Sequence, residues 1–121
     1  MIRAILNPTT AQRALIRRSC LRGGNDDPDD VIEAVENGHL LALATDESIL
    51  LLADYGDSLH IAHYGGRLRD IPTLNKHASI VAQEMRKQYV TLNGRKGWRR
   101  YMKRFGFVPD GDNMRREIWA T

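Results

Sequence analysis

Residues 39–64 hold three apolar runs of strand length in succession: HLLALAT (39–45), SILLLAD (48–54) and SLHIAHY (58–64). Asp46-Glu47 separates the first two, and Tyr55-Gly56-Asp57 separates the last two. Connections this short leave no room for a crossover, so the three strands are expected to form an antiparallel meander. A sheet built this way needs helices over its faces, and the rest of the chain must supply them.

Before the meander, IRAIL (2–6) reads as a strand broken by Asn7-Pro8. Thr10 is placed to cap a helix from about residue 11 to residue 21, ended by Gly23-Gly24. A second helix opens with Asp27 as N-cap, Pro28 at its first position and Asp29 and Asp30 in its first turn. Val31, Ile32 and Val35 give its inward stripe, and Asn37-Gly38 ends it. After the meander, Asp70-Ile71-Pro72 opens a third helix with Asp70 as N-cap, and Leu74, Ala78, Val81 and Met85 share one face. Tyr89-Val90-Thr91-Leu92 is a short strand. In GRKGWRRYMKRFGFVP (94–109), Trp98, Tyr101, Met102 and Phe105 fall at helical spacing, with Arg99, Arg100, Lys103 and Arg104 on the solvent side. Gly106 suits a left-handed C-cap, Phe107-Val108 starts a strand, and REIWAT (116–121) closes the sheet as a strand whose edge could support a dimer. The order is β-α-α-β-β-β-α-β-α-β-β. It predicts an α+β, three-layer fold: a mixed, mostly antiparallel sheet of six to seven strands with about four helices.

A chain of 121 residues suits one domain, 1–121, with one core. Hydrophobic residues at 42% and charged residues at 27% are ordinary globular usage, which argues against disorder. No apolar run approaches membrane-span length, and MIRAILNPTT lacks the features of a secretion signal. The single Cys20 forms no internal disulfide, which fits a reducing cytoplasm. Net charge is +3, unevenly spread: ten acids and no Lys or Arg between Asp26 and Asp57, eight Lys or Arg and no acid between Met85 and Pro109. An electropositive region steers anionic partners unless the two segments neutralise each other. Nucleic-acid binding by the basic helix is disfavoured, because its aromatics form one inward stripe rather than stacking platforms.

The element order and the C-terminal third resemble the GNAT N-acetyltransferase superfamily. The carrying residues are a short strand ending Leu92-Asn93, a helix, and then Phe105-Gly106-Phe107. The compact chain is similar to reduced GNAT-like proteins carried by tailed phages. The resemblance implies an acyl-CoA cofactor, acetyl-CoA foremost, in a V-shaped opening between the strands SLHIAHY and QYVTL, which must run in the same direction. It implies direct acyl transfer to an amine of a small-molecule or protein acceptor. The pyrophosphate would meet the start of the third helix, where family members carry Gln or Arg, two residues, Gly, one residue, then Gly or Ala. The corresponding stretch is Tyr64-Gly65-Gly66-Arg67-Leu68-Arg69-Asp70. As an N-cap, the Asp70 carboxylate would occupy the amides a phosphate needs, and Pro72 removes one donor. Arg67 and Arg69 would offset this by direct contacts. Gly65, Gly66, Arg67, Arg69, Asn93 and Arg95 are the candidate cofactor-binding residues.

In the family a Tyr five residues before the Phe of the Gly-Phe pair often protonates the leaving thiolate. That position is Met102, which has no proton to donate, and Tyr101 is the available substitute. His63, and after it His60, are the candidate general bases. Three apart on a regular strand, they are expected to face opposite sides and so to share no metal. His39 and His77 have no evident partner. The competing reading is a GNAT-like domain that has lost catalysis and works by binding a protein.

Overall fold

The computed structural model describes residues 2–23, 26–94 and 96–119. The elements follow the expected order: β1 (Arg3–Ile5), α1 (Thr10–Gly23), α2 (Pro28–Glu36), β2 (Leu41–Ala44), β3 (Ile49–Asp54), β4 (Ser58–Gly65), α3 (Ile71–Glu84), β5 (Tyr89–Asn93), α4 (Lys96–Met102), β6 (Val108–Asp110) and β7 (Asn113–Glu117). They form one mixed seven-stranded sheet in the order β1-β2-β3-β4-β5-β7-β6. Among the described residues only β4 and β5 pair in parallel, and helix α3 makes the crossover between them. No helix among the described residues is long and apolar enough to cross a membrane.

Local chemistry explains most boundaries and two departures from expectation. The cap of α1 is Thr9 rather than Thr10. The Thr9 N–H donates to Gln12 Oε1 (2.9 Å), and the Gln12 N–H donates to Thr9 Oγ1 (3.1 Å), a reciprocal capping box. In α2 the Asp27 carboxylate accepts from the Asp29 N–H at 2.9 Å, as the Asp-Pro opening implies. The closing strand lies over Asn113–Glu117 rather than 116–121. Asp110 pairs with Asn113 across Gly111-Asp112, and Gly111 has φ +62°, so a tight Asp-Gly hairpin starts the strand early. This strand bonds β5 on one side and β6 on the other, so it is not an edge; β1 and β6 are.

The sheet is packed on both faces. Beneath α1 and α2, Ile16, Cys20, Val31, Ile32 and Val35 meet Ala42, Ala44, Ile49 and Leu51. Beneath α3 and α4, Leu74, Ala78, Ala82 and Met102 meet Leu43, Leu50, Leu52, Leu59, Val90 and Leu92. The inward stripe of α3 is Ile71, Leu74, Ala78 and Ala82; Met85 lies past the helix end and is exposed. In α4, Met102 is buried and Trp98, Tyr101 and Phe105 pack against the core, so the aromatic side faces inward. Arg100, Lys103 and Arg104 are exposed, but Arg99 is not free in solvent. Its Nε donates to the Gly94 carbonyl (2.7 Å) and its Nη2 to the Gly111 carbonyl (2.6 Å), tying α4 to the β6–β7 hairpin.

The acidic segment is neutralised mostly from elsewhere than the basic strip. Arg13 pairs with Glu36 (2.9 Å) and Arg17 with Asp29 (3.0 Å), joining α1 to α2. Lys87, bound to Asp54 at 2.5 Å, bridges the two segments.

Candidate functional site

The parallel pairing of β4 and β5 runs from Ser58–Tyr89 to Ile61–Leu92 and stops. Strand β4 continues to Gly65 while β5 ends at Asn93, so the two part. On its other side β4 carries a bulge: Leu52 pairs with Ile61 and Leu51 with His63, leaving Ala62 as an extra residue. A bulge bends its strand and turns its later side chains over. The wedge opens into a cavity of about 500 Å³ that reaches from Leu74 and Asn75 of α3 and Trp98 and Met102 of α4 to Arg18, Ser19 and Arg22 of α1. It therefore passes through the sheet from one helical layer to the other.

The end of β4 is shaped for close backbone approach. A Cβ on Gly65 would lie 2.6 Å from the Leu15 carbonyl oxygen of α1. Gly66 has φ +132°, and a Cβ there would lie 2.3 Å from Ser48 Oγ. A short 3-10 turn, Leu68–Asp70, leads into α3. The expected Asp70 cap does not form: Asp70 is already helical in backbone, and no side-chain bond reaches the helix amides. Its Oδ2 instead accepts from Ser48 Oγ (2.6 Å) and Thr45 Oγ1 (3.0 Å), on the β2–β3 turn. Ser48 Oγ in turn accepts from the Arg67 N–H at 2.9 Å. The carboxylate thus blocks no amide of this helix start, but most are already engaged: the Arg67 N–H on Ser48, the Asp70 N–H on the Arg67 carbonyl (3.1 Å) and the Ile71 N–H on the Leu68 carbonyl, while Pro72 has none.

The candidate cofactor residues divide. Gly65, Gly66 and Asn93 line the cavity. Arg67 and Arg69 do not; both reach Glu47, with Arg67 Nε at 2.7 Å from Oε2 and Arg69 Nη2 at 3.0 Å from Oε1. Both are largely exposed, so an incoming phosphate would compete with one carboxylate for them. Arg95 lies outside the described residues.

The bulge also corrects the reading of the histidines. His60 pairs with Ala53 and His63 with Leu51, so both point to the α1–α2 face rather than to opposite faces. His63 lines the cavity, and its Nε2 lies 2.9 Å from Asp26 Oδ2. The imidazole is 10% exposed and the carboxylate 64%, so this pair sits at a mouth. His60 is engaged elsewhere: its Nδ1 lies 2.8 Å from Thr91 Oγ1, and Tyr55 stacks on it at 4.7 Å. Burial holds its pKa below the ordinary histidine value.

Tyr101 is outside the cavity lining. It packs edge-on between Trp98 (6.1 Å) and Phe105 (5.4 Å), with the Arg104 guanidinium 4.7 Å above its ring. Two cavity residues escaped the sequence reading. Tyr64 packs edge-on against Trp98 and donates its hydroxyl to the Arg67 carbonyl; burial raises its pKa. Asn75 sits beside Leu74 on α3, 4% exposed, a polar residue in an apolar stripe. That single interruption of the stripe was the signal available for it.

No protein-family model matches the chain, and no curated protein sequence matches it. Solved structures do match over nearly the whole length. An IAA acetyltransferase from Bacillus cereus superposes with a TM-score of 0.71 at 10% identity, covering 97% of this chain and 98% of its own. Tetrahymena GCN5 gives 0.69 at 12%, covering 98% and 96%. An acetyltransferase of the GNAT family from Staphylococcus aureus gives 0.65 at 9%, covering 98% and 99%. At these identities the likeness is one of architecture. The mixed seven-stranded sheet with its covering helices therefore has a GNAT N-acetyltransferase fold.

Proposed function

We propose that the protein is an acyl-CoA-dependent N-acyltransferase, with acetyl-CoA as the donor and a primary amine as the acceptor. One observation carries this reading. The β4–β5 pair parts beside a helix start into a cavity of about 500 Å³ that is open to both helical layers. Such a passage lets a donor and an acceptor approach one point from opposite sides.

The residues present fit a CoA-type donor in part. Gly65 and Gly66 line the passage where a diphosphate would lie, and Asp70 is turned away from the helix start. Arg67 and Arg69 could exchange Glu47 for phosphate oxygens. Asn93 lines the passage beyond. The donor supplies an activated thioester carbonyl. The chain's own contribution is at the α1 mouth. With Nε2 bound to Asp26, Nδ1 of His63 is left to take a proton from the acceptor's ammonium, and Asp26 fixes that tautomer.

A second reading, a domain that binds a protein partner without turnover, is favoured by Met102 at the position of the usual tyrosine and by the Glu47 hold on both arginines. Thermal unfolding with and without acetyl-CoA separates the two. A donor at a hundred times its Kd stabilises the native state by about 2.7 kcal/mol, a plain rise in Tm. No shift at millimolar acetyl-CoA overturns the acyltransferase reading.

A further inference from the structure

Helix α3 turns one polar side chain toward the cavity. Its inward stripe is Ile71, Leu74, Ala78 and Ala82, and Asn75 stands among them, 4% exposed. Asn75 Oδ1 is buried and accepts no hydrogen bond from the described residues. The backbone of the same residue is occupied: its carbonyl accepts from Arg116 Nη2 (3.4 Å) and from Ser79 Oγ (3.5 Å). Arg116 also donates to the Phe105 carbonyl (3.0 Å) and lies over the Phe107 ring, so the segment is held in place. Leu50, Ile61 and Leu92 of the cavity wall have no side-chain donor, and none of its donors, Tyr64, Asn93 and Trp98 among them, bonds this oxygen.

A buried amide oxygen without a donor weakens the fold, and a leucine of similar size would fill this wall more stably. Asn75 lines a passage wide enough for a ligand chain, and its oxygen has no donor within the protein's described residues. A ligand group with an N–H directed sideways from an otherwise apolar chain would supply the missing donor. We propose that Asn75 is the positioning residue for the acyl donor, with Oδ1 accepting from an amide N–H of the donor's pantetheine arm. This rests on the acyl-CoA reading above. It adds a recognition element on the α3 wall, away from the phosphate end and from His63.

The test uses the full chain with Asn75→Leu, and Asn75→Ala in case the leucine does not fit. Calorimetry measures binding of acetyl-CoA and of adenosine 3′,5′-bisphosphate, which has phosphates but no arm; thermal unfolding is followed without ligand. The expected result is an acetyl-CoA Kd raised about tenfold, an unchanged bisphosphate Kd, and a ligand-free Tm of Asn75→Leu above that of the wild type. Three results overturn the assignment: equal acetyl-CoA affinity in wild type and variant, equal weakening for both ligands, or a lower ligand-free Tm in Asn75→Leu. If the wild type itself binds no acetyl-CoA, the donor reading falls as well. A wild type that binds and a variant that binds equally well removes Asn75 alone.

Discussion

Asp70 Oδ2 lies 2.6 Å from Ser48 Oγ, which makes the residue before α3 an anchor for the β2–β3 turn rather than a cap for its own helix. The same hydroxyl holds the Arg67 N–H, so one buried serine fixes both sides of the loop between β4 and α3. Asp70→Ala should destabilise the protein by about 3 kcal/mol or more in urea unfolding, since it removes two hydrogen bonds to a charged acceptor. It should not strengthen acetyl-CoA binding. Stronger binding would mean that the carboxylate does occupy the helix amides.

Gly66 touches that serine. With φ +132° and a would-be Cβ at 2.3 Å from Ser48 Oγ, it tolerates no side chain without displacement of the turn. Gly66→Ala should cost about 3 kcal/mol of stability. The same substitution at Gly38, where a Cβ meets nothing within 4 Å, should cost less, its φ of +77° being the only penalty. Equal losses at the two sites would refute the close-approach argument.

His63→Ala should lower the rate of acetyl-CoA-dependent thiol release about a hundredfold or more if the imidazole is the acceptor's base. Asp26→Asn, which leaves the imidazole but loosens its tautomer, should have a smaller effect. Tyr101→Phe is the contrasting variant. Its ring sits in the Trp98–Tyr101–Phe105 ladder outside the cavity, so turnover should stay within about twofold. A large loss there would restore the tyrosine as the proton donor and require α4 to turn.

His60 predicts a pH dependence with a definite sign. Its native pKa is below the ordinary value of 6.5 because burial disfavours the charged ring. As pH falls through that value the unfolded chain takes up the proton first, and unfolding is favoured. Stability should therefore decline from about pH 6.5 down to the lower native pKa and then level off. His60→Gln should flatten this part of the curve in urea titrations between pH 8 and 5. A wild-type stability that rises on acidification over this window would contradict the burial.

Much of the architecture could be read from the letters because it depends on local signals. The turns at 46–47 and 55–57 dictate the meander, the Asp27-Pro28 opening dictates α2, and the aromatic spacing of residues 98–105 orients α4. The site was less legible, and for physical reasons. A strand's alternation predicts opposite faces for His60 and His63 only while the register is regular; the extra Ala62 depends on how β3 and β4 meet, a long-range matter. Asp70 satisfies every local rule for an N-cap, yet Ser48 and Thr45, more than twenty residues earlier, compete for its carboxylate. Arg99 falls on the solvent side of the helical wheel, and the carbonyls of Gly94 and of Gly111 in the hairpin draw it in. Asn75 was visible as a polar break in a stripe, but its missing partner is a property of the cavity.

The outermost strands have a consequence of their own. Each margin of the seven-stranded sheet is three residues long, β1 with Arg3 and β6 with Pro109 at its centre and Asp110 beside it. Proline offers no N–H, and the flanking charges repel or hydrate what comes near. An unfolded or crowded neighbour finds almost no ladder to extend, so the protein carries its own guard against fibrillar self-association.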